Sequence, residues 1–171
     1  MTTLVAIARS TNPRLAPALA ALLAALALGA AFVAEYVFHL LPCILCIWER
    51  WAYGAALGAG LAGVALAGRP GLARAFTWLA VLGFVAVAGI SVYHVGVEQG
   101  WWTGSTACSG AGIEPGMSRE DLKNAILGAP KVSCTDVAWD LWGISLAGFN
   151  VIFAPIFAAI VLLAMRRGRR A

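Results

Sequence analysis

The chain has 171 residues, 61% of them hydrophobic and 12% charged, with a formal net charge of +4. A soluble domain carries about 25% charged and 45–50% apolar residues, so a water-soluble fold of this size would have too little charge to cover its surface. Disorder, a collagen repeat, a coiled coil and a nucleic-acid-binding domain are excluded, and the +4 does not point to DNA, because charge position matters more than charge sum.

Four stretches without a charged side chain follow one another: Leu15–Ala34, Trp51–Gly68, Ala75–Val97 and Leu141–Met165. Spanning a bilayer takes about 20 residues at a 1.5 Å rise each. The second stretch is the shortest and is expected to begin earlier, near Ile47. The runs are continuous and rich in Ala and Leu, whereas barrel strands alternate over about ten residues. The expected architecture is therefore all-α and membrane-integral: one four-transmembrane-helix bundle, with spans at 15–34, 47–67, 75–96 and 141–165. It forms a single domain over 1–171 with no internal repeat. Gly54, Gly58, Gly60, Gly83 and Gly89 are small residues of the kind that let membrane helices approach closely. The first span could be read as a signal peptide, with Arg9 and Arg14 as its basic region and Gly29–Ala31 as a cleavage site. It exceeds the 7–15 apolar residues of such peptides, so a retained helix is expected.

The connections differ in charge. The N-terminal segment, the second connection and the C-terminal tail hold Arg9, Arg14, Arg69, Arg74, Arg166, Arg167, Arg169 and Arg170, with no acid. The other two hold every acid of the chain: Glu35, Glu49, Glu98, Glu114, Glu120, Asp121, Asp136 and Asp140. Basic loops stay in the cytoplasm, so both termini are expected there, with the loops at 35–46 and 97–140 facing outward. In the longer loop, Gly100–Gly116 is rich in Gly, Ser and Thr and is expected to be mobile. Ser118 with Asp121 three residues on marks a helix start. Leu122, Ala125, Ile126 and Ala129 then line one face, giving a short amphipathic helix expected on the membrane surface. Trp101 and Trp102 read as an interfacial aromatic belt.

All four cysteines, Cys43, Cys46, Cys108 and Cys134, fall in the outward loops, where disulfides persist. Two pairs are suggested, Cys43 with Cys46 and Cys108 with Cys134. Two structural bridges would suit Cys108 and Cys134, which could staple the long loop. They suit Cys43 and Cys46 poorly, because a bridge over two residues closes a tiny loop and stabilises little. That spacing belongs to redox centres with a depressed thiol pKa. A four-cysteine zinc site is a further alternative, weakened because such sites use two closely spaced ligand pairs. Pro42 suits the first turn of a helix, which places the pair at a positively polarised helix start. Arg50 lies four residues after Cys46 on the same face. Both effects favour a thiolate at Cys46, although Arg50 alone would read as a snorkelling interfacial anchor. A dithiol here needs an electron acceptor. No dinucleotide fingerprint is present, Cys46 is followed by Ile47 and so not by a haem-motif histidine, and the histidines His39 and His94 have no haem spacing. By elimination, a lipid-soluble quinone remains.

The run Pro42-Cys43-Ile44-Leu45-Cys46-Ile47-Trp48-Glu49-Arg50 resembles the signature of the DsbB family, bacterial inner-membrane enzymes that reoxidise the periplasmic thiol oxidase DsbA and pass electrons to quinone. The resemblance extends over nearly the whole chain, through the four spans, both loops and the entry to the last helix at Trp139-Asp140-Leu141-Trp142-Gly143. It implies a quinone-dependent protein thiol:disulfide oxidoreductase using ubiquinone or menaquinone, with a DsbA-like thioredoxin-fold protein as periplasmic partner. It further implies that Cys108 forms the mixed disulfide with that partner and that Cys134 relays to Cys43. Cys46 would lie beside the quinone, with Arg50 assisting its reduction and His94 as a second quinone contact. Two other readings compete: a non-enzymatic membrane protein, such as a transporter or assembly subunit, whose outer loops are stapled, and a thiol reductase passing electrons outward.

Overall fold

The structure, a computed structural model, describes residues 12–105, 108, 117–128 and 132–167. Arg9, Arg169, Arg170, Ala129 and most of the Gly100–Gly116 stretch lie outside the described residues, as do the side chains of Ala125 and Ile126.

Four long helices dominate: α1 (Leu15–Tyr36), α2 (Ile44–Ala65), α3 (Pro70–Glu98) and α5 (Leu146–Arg167), with the short α4 (Arg119–Gly128) between α3 and α5. Helix α2 packs against both α1 and α3, α3 packs against α5, and α5 closes back on α1 through a looser seam. Helices α1, α3 and α5 are each long and apolar enough to cross a membrane. Helix α2 carries Glu49, Arg50 and four glycines and is not among them.

The starts of these helices follow local chemistry. Cys43 is the N-cap of α2, and its sulfur accepts the Cys46 backbone N–H. The helix thus begins three residues before the expected Ile47. Helix α3 begins at Pro70, five residues before the uncharged stretch, because proline suits a first helical position. The stretch expected to open the last span at Leu141 instead forms a two-residue antiparallel ribbon, β1 (Asp140–Leu141) with β2 (Ile144–Ser145). Trp142 and Gly143 both have positive φ, at 53° and 78°. Two such residues in succession are what a tight hairpin turn requires, and they prevent α5 from starting before Leu146. Ser118 caps α4, accepting the Asp121 N–H at 3.1 Å while donating to the Asp121 carboxylate at 2.6 Å.

The bundle core is built from small residues, Ala20, Ala24, Ala56, Ala80, Ala154 and Ala158, around Phe84, Val87 and Val161. Large apolar side chains point outward instead: Leu26, Trp51, Leu79, Leu82 and Ile152 are all exposed. That inversion suits a lipid solvent, where close backbone approach rather than large buried side chains holds helices together. Gly60 and Gly83 serve that approach. A Cβ at Gly60 would stand 2.7 Å from the Ala21 backbone nitrogen, and one at Gly83 would stand 2.9 Å from Ala56 Cβ. Gly54, Gly58 and Gly89, expected to act the same way, face open space.

Candidate functional site: a dithiol, a buried disulfide and an apolar cavity

The N-terminal end of α2 places Cys43 and Cys46 one turn apart, with their sulfurs at 3.0 Å and both free. Cys43 lies at the cap, where its sulfur accepts the Cys46 backbone N–H and, when ionised, faces two further donors, the Cys46 thiol at 3.0 Å and His94 Nε2 of α3 at 3.3 Å. These donors outweigh its burial and push the Cys43 pKa down to about 4; the hydrogen bond from Cys46 contributes most, then His94. The helix position read from sequence favoured Cys46 as the thiolate. The geometry gives the accepting role to Cys43, because the cap residue, not the residue one turn in, receives the N-terminal N–H.

His94 is held from its other side. Its Nδ1 is 3.2 Å from Glu49 Oε1, which also accepts from Ser91 Oγ at 3.0 Å. Glu49 Oε2 accepts from Asn150 Nδ2 at 2.7 Å, and Asn150 Oδ1 accepts from Tyr53 at 3.0 Å. Glu49 is 4% exposed and ties α2, α3 and α5 together. Sequence reasoning assigned Glu49 no role. Its signal was an acid one turn after Cys46 in an apolar helix, but its partners are 42 to 101 residues away.

Arg50 turns toward α1. It pairs with Glu35, donates to the Ala31 carbonyl at 3.2 Å and lies 5.4 Å from the Phe32 ring centre. Its hydrogen bonds therefore go to α1 rather than to either thiol.

A cavity of about 460 Å³ lies between α1, α2 and α5. Cys46, Glu49, Arg50, Tyr53 and Asn150 supply its polar points, and the rest of its wall is apolar. One side is an aromatic ladder on α5, in which Phe149, Phe153 and Phe157 follow at 6.1 Å spacings with Trp139 above. His94 does not line this cavity; with Cys43 it borders a separate small crevice.

Cys108 and Cys134 form a disulfide, with Cα atoms 5.0 Å apart. Sequence reasoning suggested this pair. The four-cysteine zinc arrangement is not formed, since these two sulfurs are spent on each other. Cys108 was expected in a segment free to meet a large partner, yet it is only 1% exposed. Cys134 N–H donates to the Cys108 carbonyl at 3.2 Å, and both half-cystines pack with Cys43, Leu45 and Val97 in one cluster. Beside it, Trp102 folds back on α3, stacking on Tyr93 and donating to its carbonyl at 2.9 Å. Gly96 makes room, since a Cβ there would fall 1.9 Å from the indole.

Long apolar helices with a vicinal dithiol packed beside a buried disulfide define a membrane-embedded thiol–disulfide protein. Comparison with known proteins agrees. The family model "Disulfide bond formation protein DsbB" matches residues 13–164. Among curated relatives, Disulfide bond formation protein B of Acidovorax sp. (strain JS42) is 33% identical over 169 residues, covering 94% of this chain and 91% of its own. That of Shewanella loihica (strain ATCC BAA-1088 / PV-4) is 28% identical, covering 92% of each chain. An uncharacterized protein of Rickettsia prowazekii (strain Madrid E) is 31% identical, covering 80% of each. No solved structure matches. The chain belongs to the DsbB family of disulfide bond formation proteins.

Proposed function

We propose that this chain is a quinone-dependent protein thiol oxidase of a bacterial inner membrane that reoxidises a DsbA-like thioredoxin-fold partner in the periplasm. One observation carries the reading: Cys46 stands on the wall of an apolar, aromatic-lined cavity while Cys43 shares a cluster with the Cys108–Cys134 bond. The four sulfurs therefore form a continuous path from the outer loop to a lipid-facing slot.

The cavity suits a quinone ring. Its volume lies within the usual range for small-molecule sites, Phe149 and Phe153 offer flat apolar faces, and Arg50 and Asn150 offer donors for carbonyl oxygens. Such a ring, when bound, supplies a two-electron, two-proton acceptor. The chain's own part begins at Cys108, where the partner's thiolate attacks the loop disulfide and Cys134 leaves as thiolate. The partner's second thiol then resolves the mixed disulfide, leaving the loop reduced. The loop dithiol next attacks a Cys43–Cys46 disulfide and reduces it. The Cys43–Cys46 pair closes again as its two electrons leave into the cavity. In this reading α2, enclosed between α1 and α3, is the fourth span. The arginine-bearing ends face the cytoplasm and the cysteines the periplasm.

The test mixes the purified full chain with ubiquinone or menaquinone and a reduced DsbA-like protein, and follows quinone absorbance. One quinone consumed per partner disulfide formed is the expected result. Partner oxidation without quinone reduction, or no oxidation by the folded chain, sinks the reading.

A further inference from the structure

Closing a dithiol into a disulfide releases two protons as well as two electrons, and the two thiols are placed differently with respect to the cavity. Cys46 lines it and can lose its proton there directly. Cys43 does not line it; its sulfur faces His94 instead.

His94 in turn faces Glu49, which alone among the groups near the dithiol belongs to both environments. Its Oε1 takes Nδ1 of His94 and the Ser91 hydroxyl, while its Oε2 takes Asn150, and the side chain forms part of the cavity wall. Ser91 and Asn150 donate to the Glu49 oxygens, and His94 Nδ1 does so in the tautomer that leaves Nε2 unprotonated. With Nδ1 donating to Glu49, His94 presents the Nε2 lone pair to the Cys43 thiol, the same division of labour as in a nucleophile–histidine–acid triad. An ionisable group buried this deeply among membrane helices is functional more often than not.

We propose that Glu49 and His94 form the proton path from Cys43 to the acceptor cavity. His94 Nε2 takes the Cys43 proton, the Nδ1 proton passes to Glu49 Oε1, and Glu49 releases it on the cavity side, where Asn150, itself held by Tyr53, anchors the carboxylate. The balance closes. Cys43–SH and Cys46–SH become one S–S bond, two electrons and the Cys46 proton enter the cavity directly, and the second proton arrives through Glu49. The path rests on the quinone reading for its final acceptor, but not for the link from Cys43 to Glu49. The groups bearing on Glu49 are Ser91 and His94 from α3, and Cys46, Arg50 and Tyr53 from α2; Glu98 of α3, bonded by Ser145, faces His94 Nε2 at 3.7 Å beside Cys43. Asn150 of α5 is uncharged, and Glu35 of α1 is engaged by Arg50.

Two measurements on the full-length chain in detergent test it. The first needs no quinone: the reduced protein is alkylated with iodoacetamide across pH, and modification of Cys43 is read by mass spectrometry. Glu49→Gln is isosteric and leaves His94 an oxygen to bond, yet removes the charge behind it. It should move the midpoint of the Cys43 alkylation profile upward by about one pH unit, a tenfold weaker preference for the thiolate, with Glu49→Asp restoring most of the shift. The second follows a single turnover with ubiquinone-1 in light and heavy water. Glu49→Gln should be slowed about a hundredfold, as for loss of a proton-transfer group, with an enlarged solvent isotope effect. Asn150→Ala should keep the alkylation profile but slow turnover. It carries the test if Glu49→Gln does not fold. A folded Glu49→Gln protein with wild-type alkylation and turnover overturns the proposal. An alkylation shift in a chain whose wild type cannot reduce quinone overturns the cavity half and the quinone reading together, while supporting the Cys43–His94–Glu49 half.

Discussion

Cys43 shows how position within one helical turn decides chemistry. Its sulfur accepts the Cys46 backbone N–H, lies 3.0 Å from Cys46 Sγ and faces His94, and its pKa falls to about 4. A free thiol lies near 8.5. Above about 6.5, the ordinary histidine value, the proton given up by Cys43 is kept on His94. Below it the unfolded chain binds a proton that the reduced native chain does not, so native stability rises with pH between about 4 and about 6.5 and is lost as pH falls through about 4. The oxidised Cys43–Cys46 form has no such titration. Thermal unfolding of the two forms in detergent, scanned from pH 8 to pH 4, should therefore show the reduced form losing stability relative to the oxidised one. Parallel curves would remove the thiolate from Cys43. The CxxC spacing and the helix start made the dithiol legible in the sequence, and Arg50 could be singled out by its spacing from Cys46. Glu35 and Ala31, which take up Arg50, could not, because they come from another helix. The same holds for the Glu49–Asn150 contact, since nothing local relates positions 101 residues apart.

At the scale of elements, small residues carry the helix contacts, but only some of them. Gly60 meets the Ala21 backbone, whereas Gly58, two residues away on the same helix, meets nothing within 4 Å. Gly60→Val should drive α1 from α2 and cost about 1–3 kcal/mol, as overpacking does. Gly58→Ala should be neutral or stabilise by up to about 1 kcal/mol through helix propensity. Comparing the two melting temperatures checks the assignment, and an equal loss in both variants would refute it. Hydropathy located the four long helices because it is local along the chain, although only α1, α3 and α5 are long and apolar enough to cross a membrane. Helix ends were less legible. Proline and a capping sulfur extended α3 and α2 beyond the uncharged runs, while the Trp142–Gly143 turn shortened α5. Which glycines touch a neighbour depends on helix rotation, which composition does not report.

For the molecule as a whole, Arg14 at the start of α1, Arg69 and Arg74 around the start of α3, and Arg166 and Arg167 at the end of α5 gather at one end of the bundle, while Arg50 lies with the sulfurs at the other. The proposed orientation puts the sulfurs outside. In intact cells treated with a reductant, a membrane-impermeant maleimide should label Cys46. A Gly68→Cys probe between α2 and α3, in a background without the native cysteines, should react only after permeabilisation. The opposite pattern would invert the topology. On the proposed route, burial of the loop disulfide adds a requirement: Cys108, buried with Cys43, Leu45 and Val97, must become accessible before a partner's thiolate reaches it.

The cavity's rim is set in the flank of the bundle, at the looser seam between α1 and α5, and Leu26 and Phe153 belong both to its wall and to the exposed surface. A ligand entering there arrives from the hydrocarbon and never needs to cross water. Its effective concentration is then a count per lipid rather than per litre. Diluting proteoliposomes in buffer should leave the rate of quinone reduction per protein unchanged, while adding inert lipid at constant protein and quinone should lower it in proportion. The chain would work as a two-dimensional reactor, with its supply governed by crowding in the plane of the membrane.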